Sequence, residues 1–350
     1  MLSNNTAFIY YGGFARFGGV ISHARAVEGA LHKMGWNVVL ISLDSLPIWC
    51  RYIPHAVEKI VNFINRPLGF YYKGLITKFL YRAFFDKSAQ LRIYEDIYLS
   101  WNSSIPSITV MHAIWSDNLQ AFSVNNLQLE TLISKEISAI NTISHPVVTV
   151  SYPYAVYLKN EHFAGQLKKN IDVIELGVNQ FEFKKNTASN PYSIVYTGSL
   201  EARKNVFFLL AVFKKLKKAN PSYTLTIIGD GPDRSELQKF AFNNSLDVKF
   251  LGAISRSEVI KELANHRLYM HTSTKESFSY SLLEAKLAGL KTIACDKLQV
   301  PSDFIDIGIG SFDADDWCRM ILNSNYSNKA FDKNKYTVEK MTISTIKYAQ

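Results

Sequence analysis

Residues 192–232 read YSIVYTGSLEARKNVFFLLAVFKKLKKANPSYTLTIIGDGP, and the succession of residue types in this stretch decides the fold. Tyr192 to Tyr196 is a short β-branched and aromatic run that ends in a Thr-Gly-Ser turn, which predicts a buried strand. Val206 to Ala219 carries apolar residues at helical spacing, and Tyr223 to Ile228 is a second strand closing on Gly-Asp-Gly-Pro. A strand, a helix and a strand in that order predict parallel pairing through a crossover.

The same alternation continues on both sides. Downstream, helices are expected near Ser235 to Phe242, Ser257 to Ala264 and Tyr280 to Ala288, the last closed by Gly289. They alternate with strands at Val248 to Leu251, Leu268 to His271 and Lys291 to Ala294. Upstream, a strand at Ala7 to Tyr11 runs into a turn with Gly12, Gly13, Gly18 and Gly19. Helix Val20 to Met34 follows, closed by Gly35, and then a strand at Asn37 to Ser42. Further strands are expected at Ser107 to Met111, Val147 to Ser151 and Asp172 to Glu175, with a helix from Leu127 to Ile140. Polar residues Lys184 to Asn190 read as a linker. The fold class is therefore α/β, with two doubly wound domains facing across a cleft and ligands expected outside the carboxyl ends of the strands.

Composition narrows the function classes. Of 350 residues, 47% are apolar and 20% charged, which excludes a disordered or collagen-like chain. Lys plus Arg exceed Asp plus Glu by 39 to 30, a net charge of +9 that favours anionic partners. Residues 51–92 hold eight Lys/Arg against two acids, so +6 of the +9 sits there, interleaved with Tyr and Phe. This segment is expected to form basic amphipathic helices that suit an anionic membrane surface, although the same aromatics also suit a core. Three cysteines without C-x-x-C spacing indicate neither a disulfide framework nor a structural zinc, and fit a reducing cytoplasm. No signal peptide or spanning segment is expected, since the apolar runs fall far short of the ~20 residues a bilayer needs.

Two motifs carry chemistry. ESFSYSLLE places Glu276 in a strand-to-helix loop and Glu284 inside the following helix, about 12 Å apart at helical rise. That is too far for a glycosidase pair, which needs roughly 5 to 9.5 Å, but it suits reading a ribose and a sugar at two ends of one elongated ligand. Helix-dipole complementarity would account for the same two acids. TGSLEARKN brings Arg203 and Lys204 to a strand end just before a helix, where two cations neutralise a diphosphate without a metal. A solvated basic turn is the plain alternative. The GDGP turn containing Gly229 carries little by itself.

TGSLEARKN, TLTIIGDGP, VKFLGAIS and ESFSYSLLEAKLAG, in this order over about 147–305, resemble the family-4 retaining glycosyltransferases of the GT-B architecture. VVTVSYPYAVYL and VIELGVN resemble that family's interdomain stretch. The N-terminal match is thinner: GGV at Gly18 to Val20, MGWNVVL and TVMHAIW. The resemblance implies an acceptor-binding domain over 1–184, a nucleotide-sugar-binding domain over 185–334, and a terminal helix over 335–350 packing back on the first. It implies transfer of a sugar, with retained configuration, from a nucleotide sugar to a glycan or lipid-linked acceptor in surface polysaccharide or lipopolysaccharide synthesis. The expected place is the cytoplasm, peripheral on the inner face of the membrane, with no metal or other cofactor.

Carried over by position, the resemblance assigns Glu284 to the donor ribose and Glu276, with the backbone of Ser277, Phe278 and Ser279, to the transferred sugar. Arg203 and Lys204 hold the diphosphate, with Ser199 and Gly229 beside them. Gly18 and Gly19 give close approach to phosphate or acceptor, and His112 stands near the anomeric centre. Two departures stand out: Ser199 sits where many members carry Arg, and Ser279 replaces a usual glycine, which narrows the expected sugar pocket. Asp303 stays unassigned.

Rival classes fit less well. The glycines after the first strand match neither G-x-G-x-x-G nor a P-loop, so a dehydrogenase or P-loop nucleotidase is disfavoured. Asp313-x-Asp315 precedes an apolar helix and reads as a cap rather than a metal motif. His266 and His271 flank a strand without a third ligand. Nucleic acid is not the expected partner, because the charge is concentrated in one segment. A nucleotide-sugar epimerase of similar architecture would need acid/base carboxylates that the sequence does not display. A binding protein without turnover leaves Glu276, Glu284 and the Arg-Lys pair without purpose.

Overall fold

The computed structural model describes residues 5–15, 18–86, 89–119, 126–179, 190–323 and 329–350. The chain forms two compact units, Met1–Gln180 with Asn334–Gln350, and Phe181–Lys333. In the first unit the elements run β1 (Thr6–Tyr10), α1 (Gly19–Lys33), β2 (Asn37–Ile41), α2 (Ile53–Ile64), α3 (Arg66–Phe85), β3 (Leu91–Tyr94) and β4 (Ser107–Met111). They continue with α4 (Trp115–Leu119), α5 (Asn126–Thr142), β5 (Val147–Thr149), α6 (Tyr152–Tyr157) and β6 (Asp172–Val173). The strands pair in parallel in the order β2-β1-β3-β4-β5-β6. The order of strands in the sheet reverses between β1 and β3, so the loops after Tyr10 and Tyr94 part there.

Helix α3 seals one face of this sheet. Leu80 and Tyr81 pack with Phe8, Tyr10, Ile41 and Tyr94, and Tyr10 stacks on Tyr94 with ring centroids 5.2 Å apart. The segment 51–92 is thus divided in use. Its helices supply buried Leu68, Leu80 and Tyr81, while Ile60, Phe63 and Ile64 on α2 face solvent, Phe63 at 94% exposure. Its end is not helical: Leu91–Tyr94 form β3, a strand absent from the sequence reading. The apolar signal there is broken by Arg92, which is 2% exposed and paired through Nη2 with Asp86 at 2.6 Å.

The second unit runs β7 (Ser193–Thr197), α7 (Val206–Ala219), β8 (Thr224–Ile228), α8 (Arg234–Asn243), β9 (Val248–Gly252) and α9 (Arg256–Ala264). It continues with β10 (Leu268–His271), α10 (Tyr280–Leu287), β11 (Lys291–Cys295), β12 (Ile307–Ile309) and α11 (Ala314–Asn323). All six strands are parallel, in the order β12-β11-β10-β7-β8-β9, with the reversal between β7 and β10. Helix α7 buries Leu209, Leu210, Phe213 and Leu216 against Ile194, Tyr196, Leu225 and Ile227, and leaves its lysines outward. Truncating Phe213 to Ala there costs about 3–5 kcal/mol.

The last element, α12 (Val338–Ala349), belongs to the first unit and packs against α1 and the β3–β4 side of its sheet. Val178 N–H donates to the Tyr336 carbonyl at 3.1 Å. A Cβ on Gly177 would lie 2.3 Å from the Thr337 backbone, so no larger residue lets the two segments meet. Among the described residues no helix is long and apolar enough to cross a membrane. The three cysteines are free and buried. Of the expected linker Lys184 to Asn190, all but Asn190 lies outside the described residues.

Candidate active site

The reversal in the second unit gathers charge. The turns after β7 and β8 are packed backbone to backbone: Gly229 has φ 139° and a Cβ there would sit 1.8 Å from the Gly198 carbonyl oxygen, so glycine is required. After β7, Ala202–Lys204 form one 3-10 turn, and Asn205 in the left-handed region (φ 52°) redirects the chain into α7. This turn is strapped to the loop after β10, because Thr274 N–H donates to the Arg203 carbonyl at 3.1 Å and the Thr272 hydroxyl donates to the Lys204 carbonyl at 2.9 Å.

Those straps place three basic groups on Glu276. Lys204 Nζ donates to Glu276 Oε1, Arg203 Nη1 lies 3.8 Å from it and His271 Nε2 lies 3.4 Å from it. The Glu276 side chain is 11% exposed. Burial alone would raise its pKa, but Lys204, His271 and Arg203 outweigh burial and hold the carboxyl well below the usual range. Burial also lowers the pKa of His271, with the two cations adding to the effect and Glu276 opposing it. Arg203 is shared with Glu201 at 3.0 Å, and the Ser199 hydroxyl donates to the same Glu201 oxygen at 2.8 Å.

Glu284 sits inside α10 and pairs with Arg256 from α9 at 2.8 Å. Burial pushes its pKa up and Arg256 opposes that rise. Only Tyr280–Leu287 are helical, so the helical-rise spacing between Glu276 and Glu284 applies to that part alone. Ser277 lies in the loop ahead of α10, and Phe278 is 2% exposed, its ring 5.1 Å from that of Phe304. Ser279 caps the helix and holds φ 73°, a conformation that costs a non-glycine residue about 1 kcal/mol or more. The residue that departs from the usual glycine therefore keeps the glycine backbone.

The other expected residues lie in the first unit. Gly18 is the N-cap of α1 and Gly19 its first residue. His112 follows β4, and its Nε2 lies 2.7 Å from Glu95 Oε2. The same oxygen lies 2.8 Å from His23 Nδ1 on α1. Glu95 follows β3, so the three side chains meet where β1 and β3 part. Burial pushes Glu95 up, but His23 and His112 more than offset it and bring its pKa down to about 2. Burial lowers the pKa of His112 against the pull of the Glu95 hydrogen bond. The loop after His112 is fixed from below: Ile114 N–H donates to the Tyr154 hydroxyl at 3.0 Å and Ser116 N–H to Glu136 at 3.1 Å.

Glu95, His23, His271 and Arg256 are participants that the sequence motifs do not assign. His271 lacks a partner in the sequence, and the fold supplies one in Glu276. Among the described residues, His23, Glu95 and His112 form the one group of three with ligand atoms within 4.8 Å of one another. Both nitrogens, however, address a single carboxylate oxygen at hydrogen-bond distance, whereas a zinc ion holds imidazoles at 2.0–2.1 Å through separate bonds. The geometry is that of a hydrogen-bonded bridge. Asp313 accepts from Asp315 and Asp316 N–H at 2.8 and 3.0 Å and so caps α11, while Asp315 pairs with Lys215. His266 bonds to the Glu262 carbonyl and the Thr226 hydroxyl and is a satisfied core histidine.

Residues 178–311 match the family model of glycosyl transferases group 1, so the segment that builds the second sheet and the Glu276 site carries a glycosyltransferase sequence pattern. The chain is 28% identical to the phosphatidylinositol N-acetylglucosaminyltransferase gpi3 subunit of Schizosaccharomyces pombe over 138 residues, 38% of this chain and 30% of that protein. It is 27% identical over 140 residues to the UDP-N-acetylglucosamine–peptide N-acetylglucosaminyltransferase GtfA subunit of Limosilactobacillus reuteri, 39% of this chain and 27% of that protein. The match thus spans less than a third of either relative. Over nearly the whole length, the fold is that of Anabaena Alr3699/HepE, solved with UDP and glucose, at TM-score 0.61 and 15% identity, covering 98% of this chain and 94% of that one. The architecture is GT-B.

Proposed function

We propose that this chain is a retaining glycosyltransferase that moves a sugar from a nucleotide-sugar donor onto a glycan or lipid-linked glycan acceptor in surface polysaccharide or lipopolysaccharide synthesis. The observation that carries this reading is Glu276 held between Lys204, Arg203 and His271 at the β7/β10 reversal. Without a donor, the two cations neutralise the carboxylate. A bound diphosphate offers them about two negative charges, and Glu276 is then free to accept hydrogen bonds from sugar hydroxyls. As the anomeric bond breaks, charge grows on the leaving nucleotide, and Arg203 and Lys204 stabilise it where it develops. Glu284 receives the ribose beside Arg256. No resident metal or other cofactor enters this scheme.

A uridine diphosphate sugar is the first donor to test, supported by the substrate in the name of GtfA and the UDP in HepE. Purified full-length protein is screened by thermal shift against UDP-, GDP-, ADP- and CMP-sugars, since a ligand that binds only the native state raises the melting temperature. A selective rise that shrinks in Lys204→Ala is the expected result. No rise with any donor, and no turnover with lipid-extract acceptors, would overturn the reading.

The acceptor side of the proposal extends to the inner face of the cytoplasmic membrane. It is supported by exposed Ile60, Phe63 and Ile64 on α2, flanked by the exposed cations Lys59 and Arg66. A face of this kind inserts its apolar side chains at the headgroup level while the cations meet anionic lipid. Co-sedimentation should favour anionic over neutral vesicles and weaken in Phe63→Ser; equal, negligible pelleting with both would remove it.

A further inference from the structure

We infer that Glu95 is a positioning residue for transfer: with His23 as its second partner, it fixes the proton of His112 on Nε2 and presents Nδ1 of a neutral imidazole as the acceptor. This rests on the proposed function and on His112 standing near the anomeric carbon.

Three observations support it. His23 Nδ1 and His112 Nε2 converge on one carboxylate oxygen at 2.8 and 2.7 Å, so each imidazole has its Glu-facing nitrogen fixed as the donor. The side chains are 1% (His23), 0% (Glu95) and 11% (His112) exposed, so water does not compete for these bonds, and the two rings meet edge to face at 4.7 Å. Finally, Glu95 Oε1 is buried without a hydrogen-bond partner among the described residues. A buried carboxylate with one oxygen unmet is a costly way to fill a core position, and an apolar residue would fill it at lower cost. Its presence is explained by the imidazole it orients.

The chemistry gives a reason for the arrangement. When the bond to the diphosphate breaks, positive charge grows on the sugar ring. An imidazolium beside that charge repels it, whereas a neutral ring hydrogen-bonded to a carboxylate favours it. Four further groups bear on the carboxylate and its neighbours: Tyr11, which Glu95 affects electrostatically, Asp96 next in the chain, Glu136, and Tyr98 between them. None of them is a cation that could replace the imidazoles.

The test combines two readouts on the full chain. In protein labelled with ¹⁵N-histidine, with signals assigned through His112→Asn and His23→Asn, His112 should show protonated Nε2 and unprotonated Nδ1 at neutral pH. Glu95→Gln should populate the other tautomer while UDP affinity and folded spectrum persist. In turnover, Glu95→Gln should lower kcat about 10²-fold with donor KM unchanged, and the acid limb of the pH profile should move to lower pH, because the carboxylate that raises the imidazole's proton affinity is gone. Glu95→Asp should recover part of the rate. A protonated Nδ1, an imidazolium at neutral pH or a metal-bound ring in the native protein would overturn the inference, as would a wild-type kcat in Glu95→Gln. If the wild type turns over no nucleotide sugar, the proposed function fails, while the tautomer measurement still decides the role of Glu95.

Discussion

Each unit closes a central strand of its sheet on a glutamate taken out of water, and the two glutamates are neutralised differently. Glu276 stands against Lys204 and Arg203, side chains on long flexible stems whose charge can be transferred to an arriving anion. Glu95 stands against two imidazoles whose bonds to it are closed and whose rings are held by packing. The same doubly wound topology therefore yields a site with exchangeable positive charge in one unit and a rigid hydrogen-bonded bridge in the other. The first suits binding and stabilising a departing phosphate; the second suits orienting a group toward an electron-poor carbon.

That contrast is broken most sharply at Glu276. Glu276→Ala should lower kcat on the order of 10²–10³-fold while leaving nucleotide affinity within a few-fold, in steady-state assays with calorimetry alongside. A variant with near-normal turnover would leave the cation cluster without the role assigned to it. Lys204→Ala should act on both, weakening UDP binding about tenfold, the loss of a charge-assisted hydrogen bond of about 1.4 kcal/mol, and reducing turnover further. Glu284→Gln sharpens the division within the second unit: nucleotide affinity should fall about tenfold with a smaller change in kcat, and unchanged affinity by calorimetry would contradict the ribose assignment.

The first unit should also respond to pH. Burial raises Asp96 and Glu136 to about 7, against backbone hydrogen bonds to the first and hydrogen bonds from Ser116 and Tyr98 to the second. Folded pKa values above the unfolded ones favour the native state at low pH, and that contribution is lost as pH rises through 7. Between pH 6.5 and 8 the loss is on the order of 1 kcal/mol for each group, a fall of a few degrees in melting temperature. Between the unfolded carboxyl range near pH 4 and pH 6.5 the fall persists, with His145, which burial lowers to about 4 and which must take up a proton on unfolding, offsetting about one of the two carboxyls. Glu136→Gln should reduce the slope above pH 6.5; a slope unchanged by it would place the titration elsewhere. The smallest effect is expected at Ser279→Gly, which relieves φ 73° but removes a weak 3.4 Å cap, for a net change within about 1 kcal/mol in denaturant melts.

The second unit is far more legible in the sequence than the first. Strands such as Leu268–His271 and the helix Val206–Ala219 lie where periodicity puts them, because these strands are bounded by glycine or polar turns and the helix has a distinct apolar face, whereas the three-residue strand Ile307–Ile309 is too short to read. In the first unit β3 is hidden: four residues with an arginine at the second position and no turn glycine nearby do not read as a strand. With β3 hidden, Glu95 is hidden too, since the residue draws its meaning from standing at a strand end beside β1. His23 is likewise, by local pattern, an ordinary residue on a helix. Arg203, Lys204 and Glu276 are nameable because their motifs are contiguous, whereas their meeting depends on straps between loops about 70 residues apart, which no local pattern reveals.

Helix α12 adds a consequence for how the protein is made. The first unit includes residues from both ends of the chain, joined where Gly177 admits the Thr337 backbone, whereas the second is contained in one uninterrupted stretch. During synthesis the second unit has all its residues outside the ribosome before the first has received its last helix. The half of the protein that begins first is therefore completed last, and until Val338–Ala349 emerge it exposes the face of α1 that α12 covers.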